Sequence, residues 1–78
     1  MKPTESVKEF FTRIREIIND MKVNGEILEE VKVVKKILES LSLKFHDKKK
    51  DLEAIQDLNT LRLDVLEDVL VTYEIFLN

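Results

Sequence analysis

The chain has no cysteine and only one glycine and one proline among its 78 residues. Without thiols there are no disulfides, no zinc knuckles and no thiol catalysis, and the composition agrees with a reducing compartment. Glycine and proline are the residues that helix interiors tolerate least and that turns most often need. Long apolar runs are missing too: none approaches the roughly 18–20 residues that span a bilayer. The opening MKPTES lacks the apolar h-region of a signal peptide. Nor is there an excess of cations. The formal charge is −3, which weighs against a phosphate backbone as the principal partner.

What remains is a chain rich in Glu, Lys, Leu and Ile, 44% apolar and 37% charged. That balance belongs to neither a disordered nor a membrane-embedded chain. The sequence predicts an all-α fold, a compact bundle of about four helices with short loops. It holds no repeat, no low-complexity stretch and no linker, so residues 1–78 read as a single domain. This length lies near the lower limit for a self-sufficient core. The predicted helices run over about 6–22, 28–41, 44–56 and 62–77.

In the first predicted helix, Ser6 and Glu9 have the spacing of a capping box. Val7, Phe10, Phe11, Ile14, Ile17, Ile18 and Met21 follow helical periodicity along one face, and Glu9 with Arg13 has i,i+4 spacing. Asn24-Gly25 supplies the stop. In the second helix Val34, Leu38 and Leu41 define an inner face, with Ile37 beside them and Val31 and Val33 at opposite margins. The third is the weakest. Phe45, Leu52 and Ile55 share a face, but Lys48 and Lys49 stand close to it, which predicts a frayed or late start. In the fourth, Leu63, Leu66, Val69, Leu70, Tyr73, Phe76 and Leu77 make the inner stripe. Val71 and Ile75, with Val65, are left toward water. Arg62 gives this helix a poor cap, with Thr60 the nearest hydroxyl.

Chemistry-bearing constellations are sparse. His46 beside Asp47 lacks the ligands of a metal site and the spacing of a zinc hydrolase. Lys44, His46, Lys48, Lys49 and Lys50 form a candidate nucleic-acid patch, but Asp47, Asp51 and Glu53 interrupt it, which favours a solvated helix start. Glu29-Glu30 and the group Asp64, Glu67, Asp68 suit helix N-terminal dipoles better than a metal. No nucleophile–base pair, phosphate loop or cofactor fingerprint is present. The expectation is a non-enzymatic protein with no metal, cofactor, small-molecule or membrane partner.

The segments ESVKEFFTRIREIINDM, NGE, VVKKILESL, KF, the residues of DLNTLRLD and a final YE stand in this order. In order and spacing they resemble the Gag polyprotein of copia-type LTR retrotransposons, over essentially the whole chain. The stretch is similar to the C-terminal half of the capsid region, and its first helix corresponds loosely to the major homology region of retroviral capsids. The resemblance implies a compact bundle of about four helices that serves Gag–Gag association. In the related retroviral domain the second helix forms much of a two-fold dimer interface. The sequence departs from the family pattern at Glu29, where a capping serine is usual, and at Ser42-Leu43, where a proline pair is frequent. It departs again at Lys48-Lys49, usually apolar, and at Arg62, usually a capping threonine.

Together these readings predict a self-association module acting as a homodimer or higher oligomer. Val33 and Ile37, with Val31 at the other margin, are the first-choice contact; Val71 and Ile75 are the second. The weak third helix and short loops make exchange of a helix between chains a further expectation. The alternatives are an RNA-binding module using the Lys44–Lys50 patch, or a domesticated adaptor holding another protein's peptide. The expected location is the reducing cytoplasm, with the nucleus as alternative.

Overall fold

A computed structural model describes residues 1–55 and 57–77. It is all-helical, with α1 over Val7–Val23, α2 over Glu30–Ser40, α3 over His46–Ile55 and α4 over Leu63–Leu77. A single 3-10 turn, Leu43–Phe45, leads into α3, so the late start expected there takes this form. The third predicted segment also included the Ile55 side chain and Gln56, which lie outside the described residues. Among the described residues no helix is long and apolar enough to cross a membrane.

Local chemistry explains the boundaries. The Ser6 hydroxyl accepts the Glu9 N–H at 3.1 Å, and the Glu9 carboxylate accepts the Ser6 N–H at 3.2 Å, so the capping box is complete. Glu9 is therefore occupied, and Arg13 pairs instead with Glu5 at 2.8 Å. The expected Glu9–Arg13 pair does not form. The other end of α1 is closed by a Schellman motif: Gly25 N–H donates to Lys22 O and Glu26 N–H to Met21 O, with Gly25 at φ 80. Glu29 stands at the N-cap of α2 without a side-chain cap.

The fully buried core joins Val7, Phe10 and Phe11 of α1 to Val34, Ile37 and Leu38 of α2. Phe45, Leu52, Leu61, Leu66 and Leu70 complete it. Leu61 comes from the α3–α4 loop, where the sequence pattern placed no core residue. Asp57 folds that loop. Its side chain accepts the Asn59 N–H at 3.0 Å, and its carbonyl accepts the N–H groups of Thr60 and Leu61 at 3.0 and 3.1 Å.

Helices α1 and α4 are antiparallel neighbours in a staggered register. Glu74 of α4 reaches the Val7 N–H at the start of α1, and Arg15 pairs with Glu67. Extending that register sets Ile18 level with Leu63. The last residues of α1 and the last residues of α4 therefore overhang at opposite ends of the pair. The molecule is flat, 38 × 27 × 17 Å, with little depth beyond two helix layers. Staggered helices in so thin a body do not bury their apolar stripes along the full length.

Candidate functional site

An apolar groove of about 320 Å³ lies between the second half of α1 and the outer side of α2. Its α1 wall is Ile14, Ile17, Ile18 and Met21; Leu28 and Val33 face them, and Ile37 forms the floor. The sequence pattern set the whole α1 stripe along one apolar face. Only its first half is buried. Ile14 packs on the core, Ile18 and Met21 are half-buried, and Ile17 is 50% exposed. Beyond Ile18 there is no α4 left to cover α1, so Met21 lacks that neighbour. The charged residues lining the groove are Lys32 and Lys36, so an apolar trough carries a positive edge.

The predicted contact residues divide. Val33 is half-buried and lines the groove. Val31 is half-buried and is not among the groove's lining residues. Ile37 corrects the expectation of an outward position: it is 1% exposed. The apolar arc of α2 is wide because two sides of it are covered. Val34, Ile37 and Leu38 face the core, while Ile37 also underlies the groove.

A second apolar surface lies on the last turns of α4. Ile75 is 71% exposed, as the sequence predicts. Phe76 is 82% and Leu77 41% exposed, which corrects their assignment to the inner stripe. They lie past the point where α1 begins, so α1 does not cover them. Val71 is corrected in the opposite sense, being half-buried and packed against the core. The Phe76 ring stacks on Tyr73 with centroids 6.3 Å apart, and Tyr73 leans on buried Phe45 at 6.0 Å. This aromatic series fixes the projecting end of α4.

The residues of the lysine patch have contacts of their own. Lys44 lies over the Phe45 ring at 5.4 Å and Lys48 over Tyr73 at 5.8 Å. Lys49 pairs with Glu53 at 3.8 Å. His46 and Lys50 are exposed. Two of the lysines thus lie over aromatic rings and a third against a carboxylate, and Asp47 and Asp51 sit on the same short helix.

Of the acidic residues considered as ligands, Glu30 accepts the Leu63 N–H at 2.6 Å. Glu67 holds Arg15, and Asp64 lies 3.8 Å from Arg62. Among the described residues no group of three or more His, Cys, Asp or Glu side chains is placed to hold a metal ion. Glu9 carries a lowered pKa, because the Ser6 hydroxyl and then the Ser6 N–H stabilise its charged form.

The groove was partly legible in the sequence as an over-wide apolar arc on α2. Its α1 wall was not, since periodicity shows which side of a helix is apolar but not how far along it a neighbour extends. No family model, no curated protein and no solved structure matches this chain.

Proposed function

We propose that this chain is a non-enzymatic self-association module, a capsid-like helical domain of the copia-type Gag class that acts by burying apolar surface between copies. One observation carries the reading. A trough floored by Ile37 and walled by Ile17, Ile18 and Met21 lies open in a domain that has few other apolar partners for it. Exposed Ile75 and Phe76 add a second uncovered apolar surface. The resemblance of its segment order to copia-type Gag sequences supports the same reading.

The magnitudes agree with such a role. Burying ~400 Å² of apolar surface contributes ~10 kcal/mol gross before association costs are subtracted. A domain of this length has ~5 kcal/mol of net stability, so association changes its folded population strongly. Sedimentation and calorimetry over a dilution series from about 500 to about 5 μM test this. The expected result is a mass that rises with concentration and a Tm that rises with it. A fixed monomer mass with a constant Tm overturns the proposal. RNA titration at low salt separates the lysine-patch alternative, for which each tenfold rise in salt lowers log K by about 0.7 per phosphate contact on single strands.

A further inference from the structure

Resting on the self-association reading, we infer that the contact is head-to-tail: the projecting end of α4 in one copy, led by Phe76 and Ile75, seats in the α1–α2 groove of the next.

Three observations converge on that occupant. The first is shape. The groove is an elongated apolar trough between two helices, and the end of α4 is a single helical turn with Ile75 71% and Phe76 82% exposed. A helix laid in a groove by a few apolar anchors is a recurrent mode of recognition. The second is charge. The groove's charged lining is Lys32 and Lys36. The last turn of α4 carries Glu74 and no cation, and its carbonyl end is the negative pole of the helix dipole. A basic edge thus meets the negative end of a helix, whereas groove against groove sets lysines against lysines.

The third is position. Glu74 is level with Val7, and the groove wall is centred near Ile18, about 17 Å further along α1 at 1.5 Å per residue. The end of α4 therefore projects away from its own groove and cannot fill it. Seating it in a neighbour leaves one groove and one α4 end free on the resulting pair. Such a contact is heterologous and propagates, closing into a ring or continuing as a chain of copies. A two-fold groove-to-groove contact stops at the dimer.

Complementation distinguishes these arrangements. Ile17→Glu with Met21→Glu blocks the groove, and Ile75→Ser with Phe76→Ser blunts the α4 end. All four positions lie outside the fully buried core, and circular dichroism establishes that each variant is folded. Each variant alone is expected to lose self-affinity about 30-fold or more, the loss typical of a central interface anchor. Mixed one to one, they are expected to form a heterodimer and nothing larger, because one intact groove then meets one intact α4 end. If the blunted variant alone still associates like the wild type, or the mixture stays monomeric while the wild type assembles, the head-to-tail contact is wrong and self-association stands. A wild type that stays monomeric at every concentration removes both.

Discussion

The Glu30 carboxylate on α2 accepts the backbone N–H of Leu63, the first residue of α4, at 2.6 Å across 33 residues of chain. The same device recurs at the other end of the pair, where Glu74 on α4 accepts the Val7 N–H at 3.1 Å. Arg62 precedes α4 and offers no capping oxygen, so a neighbouring helix supplies one. Each carboxylate also places negative charge at the positive end of a helix dipole.

Glu30→Ala removes that partner from α4. A lost cap costs about 1 kcal/mol, within roughly 0.5–2 kcal/mol. Glu30→Gln keeps an acceptor without the charge and falls between. Urea midpoints of the two variants check the order. Equal stability of Glu30→Ala and wild type means that water caps α4 as well as Glu30 does.

The capping box of α1 gives a pH signature. Ser6 holds the Glu9 pKa below its ordinary value, its hydroxyl first and its N–H second. A carboxylate depressed in the folded state contributes stability that is fully present above its unfolded pKa. That contribution fades as pH falls through the ordinary carboxylate range toward the depressed native value. Glu9→Gln is therefore less stable than wild type near neutrality, and the gap narrows in acid. Denaturation of both proteins across that range reads the effect; a gap independent of pH contradicts it.

Gly25 isolates a backbone effect. It stands at φ 80, and a Cβ built there meets nothing within 4 Å. Gly25→Ala consequently loses stability through the left-handed conformation alone, about 1–2 kcal/mol. Gly25→Asn loses less, since asparagine tolerates that region. Thermal melts of the pair test the ranking. Equal losses would instead implicate the Asn24-Gly25 turn as a whole.

Much of this architecture was written in local pattern. The Ser6–Glu9 box, the Asn24-Gly25 stop and the helical periodicities depend on residues within a turn or two of each other, so sequence spacing reports them directly. Ile17, Phe76 and Val71 were assigned to the wrong environments for a different reason. Their burial depends on how a second helix is placed beside them, and the α1–α4 register is set by long-range contacts such as Val7–Glu74. Leu61 was missed because it enters the core from a loop shaped by Asp57. Leu58 and Leu61 stand three apart in that loop, and this spacing was the available signal.

Ile37 separates folding from association. It is 1% exposed and sits beneath the groove. Ile37→Glu therefore places an unpaired charge in the core and unfolds the domain rather than releasing folded monomers. Ile37→Ala costs about 2–5 kcal/mol, comparable with the whole stability of a short domain. Val33→Glu acts at a half-buried wall position and retains more helicity. Circular dichroism beside sedimentation distinguishes the outcomes. Folded monomers of Ile37→Glu would place this residue on the surface after all.

The lysine edge of the groove makes the last prediction. Lys32 and Lys36 are exposed and border an otherwise apolar trough. Rim charges govern encounter rate and salt dependence more than intrinsic strength. Lys32→Glu with Lys36→Glu is therefore expected to leave the fold intact and to weaken self-association several-fold at low salt. The effect shrinks near 1 M salt, where the Debye length is about 3 Å. Wild type, by contrast, associates less well as salt rises, because screening removes an attraction between the lysines and the negative end of α4. Association of the double variant that improves with salt is the mirror-image result, since screening there relieves repulsion. Identical salt profiles for both proteins would mean that the copies meet through a surface these lysines do not border.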